Sequence, residues 1–185
     1  MPPHPTRVAR IDKYADFTSP QNKQGLHVEV DVKDRTGVSE VTIPKHMSGW
    51  VSPEQTFAHK GAIASVLDTV MAFSGIRLLK RATNTKSLSI EYFTQVPVET
   101  KLKVEARLVQ RRGDSEAILE AVIRDEGGTI MARGTGTYAL YSVEQLRNLN
   151  KFPHVAALAL GPRASGFAAC RPEDLSIFEN MLNSM

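Results

Sequence analysis

The chain has 185 residues, enough for one domain that buries roughly two-thirds of the surface its unfolded form exposes. Its 42% hydrophobic and 23% charged residues are the proportions of an ordinary globular protein, and a net charge of +3 is too mild to imply nucleic-acid binding. A single cysteine, Cys170, excludes an internal disulfide framework and suits a reducing compartment.

Residues 1–24 are polar and proline-bearing and read as an N-terminal arm. The opening Met-Pro-Pro-His-Pro lacks the apolar core of a secretory signal, and no uninterrupted apolar run approaches the ~18 residues of a membrane span. A cytoplasmic protein with no membrane contact is the expectation. From Leu26 the side chains alternate, with Leu26, Val28, Val30 and Val32 on one face and His27, Glu29, Asp31 and Lys33 on the other. That period of two predicts a half-buried strand. The turn Asp34-Arg-Thr-Gly37 leads to a second strand, Val38 to Ile43, and residues 44–58 read as a long ordered loop.

A helix is predicted from about Lys60 to Lys80. Ile63, Leu67, Val70, Met71, Ile76 and Leu79 fit helical spacing, and Gly61, Ala64, Ser65, Asp68, Ala72 and Gly75 form a second stripe of small side chains. Such a helix can be approached closely on both stripes and belongs inside a wrapped sheet or at a subunit interface. A run near 85–94 and three long alternating strands follow, joined by Arg112-Gly-Asp114 and Glu126-Gly-Gly128, short loops that favour antiparallel hairpins. Ala132, Gly134 and Gly136 leave one sheet face open to a helix. Residues 142–185 read as a tail with two candidate helices, and Cys170 within it as a buried or tail thiol.

The chemistry-bearing segment is His59-Lys-Gly-Ala-Ile-Ala-Ser-Val-Leu-Asp68, in which nine residues separate the histidine from the acid. A helix start presents unpaired N–H groups and partial positive charge, which suits an oxyanion. The carboxylate lies two turns further in, among Val66, Leu67, Val70 and Met71, where it needs partners. An extended substrate could meet both. The five histidines show no metal-ligand spacing, and no phosphate-cradling glycine loop is present, so no metal is expected. Trp50 and Tyr92 read as packing residues.

This segment, the element order and the closing Ala132-Arg-Gly-Thr-Gly-Thr-Tyr138 resemble the hot-dog fold thioesterases of the PaaI-like (phenylacetate-degradation) branch, over residues 25–141. The resemblance implies an α+β fold, a curved antiparallel sheet wrapped around a long central helix. It implies hydrolysis of an acyl-CoA to free acid and coenzyme A, with no separate cofactor. Asp68 would be general base or nucleophile, the backbone N–H of Lys60 (with Gly61) the oxyanion donor, and His59 an orienting group. Ser87 would position the water, and coenzyme A would lie along a basic rim including Lys86, Arg111 and Arg112. Relatives assemble as homodimers or homotetramers with sites built from two subunits. The family's motif is His-Gly-Gly, and Lys60 stands where its first glycine does. An acyl-CoA-binding module without catalysis is the alternative this departure raises; a hot-dog dehydratase or hydratase would use a different layout of histidine and acid.

Overall fold

The computed structural model describes residues 25–51, 56–142 and 144–145. Strands β1 (Asp31–Lys33) and β2 (Thr36–Thr42) form a hairpin whose turn residues, Asp34 and Arg35, both have positive φ (49° and 63°). Lys33 pairs with Thr36, so the turn has two residues, and its primed geometry matches the twist of the flanking strands. Gly37 is not part of that turn. It sits in β2, where a Cβ would lie 1.8 Å from Ser74 Oγ and 2.6 Å from Ser74 Cβ on the central helix. Gly37→Ala is therefore expected to lower stability by about 1–3 kcal/mol, read as an earlier denaturant midpoint.

The strand expected from Leu26 is present as packing more than as ladder. Leu26, Val28 and Val30 are buried and His27 and Glu29 exposed, but hydrogen-bonded pairing covers only β1, and Val32 is exposed. The expected loop at 44–58 contains a 3-10 turn (Lys45–Met47) and a ribbon of β3 (Ser48–Val51) with β4 (Thr56–Ala58). Strands this short carry too few alternations to be read from sequence.

Helix α1 spans Lys60–Leu79 and closes on Lys80 in the left-handed conformation, whose N–H bonds Ile76 O at 2.9 Å. Strands β5 (Ala82–Tyr92), β6 (Lys101–Arg112), β7 (Glu116–Arg124) and β8 (Ile130–Tyr141) complete one antiparallel sheet in the order β1-β2-β6-β7-β8-β5. Gly113 and Gly128 take positive φ in the connecting turns. α1 packs across β2 and β5–β8 and buries Ile63, Val66, Leu67, Val70 and Met71 against Val104, Leu119, Ile123 and Tyr138. Gly134 lets Leu67 and Met71 approach, since a Cβ there would meet Leu67 Cδ1 at 3.3 Å. Length and composition alone would allow α1 to cross a membrane, although Ser65, Asp68, Thr69 and Ser74 interrupt its apolar run. Here the sheet covers its apolar face.

The expected arm and most of the expected tail lie outside the described residues. The tail's first turn is visible: Ser142 N–H donates to Gln145 Oε1 (2.7 Å) and Gln145 N–H to Ser142 Oγ (3.1 Å), a reciprocal capping box.

Candidate functional site

The start of α1 is held from three sides. His59 N–H bonds Met47 O (2.8 Å), Ala58 N–H bonds Val96 O (2.8 Å), and β3 passes so close that a Cβ on Gly49 would lie 2.8 Å from His59 Cα. His59 is the N-cap: its Nδ1 accepts from Gly61 N–H at 2.9 Å. Tyr92 OH donates to Lys60 O at 3.2 Å. The peptide unit between Lys60 and Gly61 is thus pinned at its carbonyl by Tyr92 and at its N–H by His59. One expected oxyanion donor, the Gly61 amide, already has an acceptor. The Lys60 amide has none among the described residues. It opens onto a cleft of ≈ 320 Å³ whose walls include Phe57, His59, Ile63, Tyr92 and Gln95. The Lys60 ammonium lies 5.1 Å from the Tyr92 ring centroid, a contact worth about 0.5–1 kcal/mol at an exposed position. Tyr92, read from sequence as packing, is a wall of the cleft.

Asp68 is half-buried against β5 and β8. Thr85 Oγ1 donates to its Oδ1 at 2.8 Å and Tyr138 OH to the same oxygen at 2.9 Å. Both donors meet one oxygen, and no described residue donates to Oδ2. Tyr138 is fully buried, with its ring over Gly136, where a Cβ would lie 2.5 Å from Tyr138 Cε2. Burial first, then the Asp68 charge, pushes the Tyr138 phenol far above the ordinary tyrosine range, so it remains a donor at any working pH. Since its folded value exceeds the unfolded one of about 10, Tyr138 leaves stability unchanged below pH ~10. Above that pH it erodes stability, because only the unfolded chain ionises. Tyr138→Phe is expected to flatten the fall of the denaturant midpoint from about pH 10 to 12.

The thioesterase-superfamily family model matches residues 55–132, which take in β4, α1 and the strands to the start of β8. The fold is that of the thioesterase superfamily. AziG of S. sahachiroi is 21% identical with a TM-score of 0.55, covering 67% of this chain and 98% of its own. PaaI of E. coli is 16% identical with a TM-score of 0.52, covering 62% and 80%. A Streptococcus mutans protein, solved bound to acetyl-CoA, is 15% identical with a TM-score of 0.55, covering 63% and 90%. Among curated proteins none matches this sequence. The expected likeness to PaaI-like thioesterases and the hot-dog architecture are borne out: one long helix lies against a large antiparallel sheet.

Within this hot-dog fold the other expected site residues are dispersed. Ser87 is exposed on β5 and does not meet Asp68; Thr85 does. The cause is a β-bulge between Thr85 and Ser87. Before it Thr83 and Thr85 point to the helix, with Thr83 Oγ1 on Ala72 O at 3.2 Å; after it Leu88 and Ile90 do. The bulge exchanges the faces. Lys86 and Arg112 converge on Glu116, whose carboxyl they hold below the usual range, the Lys86 hydrogen bond contributing most. Arg111 pairs with Asp114. The three expected rim cations are therefore gathered at one end of the β6–β7 hairpin, largely answered by two carboxylates.

Asp68 and the Lys60 amide do not converge within one chain. They are eight positions apart, about 12 Å along the axis, and helical N–H groups point toward the N-terminus. An oxyanion on the Lys60 amide lies beyond the helix end, roughly 15 Å from the Asp68 level.

Proposed function

We propose that this protein is an acyl-CoA thioesterase that works as a homodimer, hydrolysing the thioester with Asp68 of one subunit and the Lys60 amide of the other. The reading rests above all on Asp68: two hydroxyls anchor Oδ1 and leave Oδ2 uncommitted, the arrangement a general base needs. In this mechanism Oδ2 takes a proton from water as the water oxygen bonds to the thioester carbon. The Lys60 N–H stabilises the oxygen anion that forms. Collapse breaks the C–S bond, and the proton held by Asp68 goes to the leaving sulfur. Direct attack by the carboxylate is the variant in which an acyl-enzyme anhydride forms first.

The dimer follows from the side of β5, an eleven-residue edge strand, that has no strand partner among the described residues. A long unpaired edge is a template for another chain. Antiparallel pairing of two β5 strands about a two-fold axis normal to the sheet keeps both helices on one face and runs them in opposite directions. The start of one α1 then lies beside the middle of the other. The half-exposed small residues Ala64, Ser65 and Ala72 around Asp68 allow that approach. A bound acyl-CoA in the S. mutans neighbour supports the ligand class. Coenzyme A would pass the Lys86, Arg111 and Arg112 surface, the site being in the cytoplasm.

The test is thiol release from acetyl-, hexanoyl-, palmitoyl-, phenylacetyl- and hydroxybenzoyl-CoA. Turnover on any of them carries the reading. Binding without turnover on all of them would replace it by the acyl-CoA-binding module that the Lys60 substitution favours.

A further inference from the structure

Lys60 is held at both ends by one residue. The Tyr92 hydroxyl donates to its carbonyl at 3.2 Å, and the Tyr92 ring lies 5.1 Å under its ammonium. The side chain is thereby kept against the wall of the cleft. No described carboxylate pairs with that ammonium, and none of the cleft's lining residues is acidic. The ring contact, about 0.5–1 kcal/mol, does no more than offset the cost of a positive charge at a helix start, about 0.3–1 kcal/mol, so stability alone does not account for the cation.

We infer that Lys60 selects acyl groups ending in a carboxylate, making short dicarboxylic acyl-CoA thioesters the preferred substrates. The inference rests on the thioesterase reading above and on reach. With the thioester oxygen about 3 Å from the Lys60 amide, the ammonium sits on a four-carbon stem within roughly 6 Å of the same residue's Cα. The pyrophosphate of coenzyme A is separated from the sulfur by a pantetheine arm about as long as four extended residues, roughly 14 Å. An anion close enough to meet the ammonium must therefore lie a few carbons from the thioester, on the acyl side. A carboxylate there exchanges the ring contact for a charge-assisted hydrogen bond, and Gln95 lines the same wall.

The quantity to measure is the ratio of kcat/KM for glutaryl-CoA to that for pentanoyl-CoA, which differ by the terminal carboxylate at equal chain length. In the wild type the ratio is expected to exceed one, and in Lys60→Met, which keeps the amide and the stem, to fall tenfold or more. Lys60→Arg is expected to recover part of it. A wild-type preference for pentanoyl-CoA, or an equal loss on both substrates in Lys60→Met, overturns the inference while leaving the thioesterase reading intact. The same comparison is made by calorimetry with the non-hydrolysable thioether analogues. Without turnover on any thioester, the thioesterase reading fails, and the analogues still decide whether Lys60 recognises the carboxylate.

Discussion

Asp68→Asn is expected to lose thioester hydrolysis by a hundredfold or more while melting close to the wild type. An amide oxygen at the Oδ1 position still accepts from both Thr85 and Tyr138, so the two hydroxyls that anchor the acid keep their partner. What disappears is the capacity to take a proton at Oδ2, a step worth about 10²–10⁴ in rate for a positioned base. The check is thiol release by the purified variant beside its thermal midpoint. A variant retaining more than a tenth of wild-type turnover would remove Asp68 from the chemistry. A collapsed midpoint would instead show that the fold needs the charge the two hydroxyls hold, and Thr85→Ala would then lower the midpoint as well.

Lys60→Pro is expected to be equally inactive, and mixing it with Asp68→Asn to restore about one quarter of wild-type activity. Proline removes one N–H together with the Lys60 ammonium, whose separate effect Lys60→Met measures, and leaves the backbone path intact. It stands at the first helical position, where proline is favoured. The residue before it, His59, already has φ −62° and ψ 139°, the extended region a following proline demands. Losing one oxyanion donor costs about 10²–10³ in kcat. When the two variants are unfolded together and refolded, random pairing makes half the dimers mixed. Each mixed dimer owns one site with an intact Asp68 from the proline chain and an intact amide from the asparagine chain. Recovery therefore demonstrates that the two groups act across the subunit boundary. Activity that stays at the level of the separate variants would mean that each chain carries its own complete pair, which the outward direction of the Lys60 N–H opposes.

How far this arrangement is legible in the sequence depends on the element. α1 is plain, because its apolar positions recur at helical steps over five turns. The alternation of β7 predicts its buried face residue by residue at Ala117, Leu119, Ala121 and Ile123, and that of β8 holds from Ala132 onward. Asp68 is found by the conflict it poses, a charge among apolar neighbours. Its partners are not found, for two reasons. Tyr138 reads as one more inward residue of β8, although a phenol in an inward position among small residues is itself a request for an acceptor. Thr85 is hidden by the bulge, which no propensity scale records. The double hold of Tyr92 on Lys60 is a contact across 32 residues of chain, to which local pattern has no access, whereas the occupied Gly61 amide is a local cap set by the orientation of the His59 ring two residues earlier.

The bulge in β5 has a consequence of its own. It is a frame shift in a ladder: one extra residue in the strand, with no counterpart in β8 between the partners of Thr85 and Ser87. Take Lys86 out and the strand pairs straight through, with Thr85 still opposite Tyr138; keep Lys86 but pair every residue regularly back from Ser87, and Lys86 takes that place, with Thr85 turned to the outside. No side chain near Asp68 has been changed in kind, and still the carboxylate has lost its threonine. What stands beside the acid is thus decided by counting along the strand, before any question of which residues are counted.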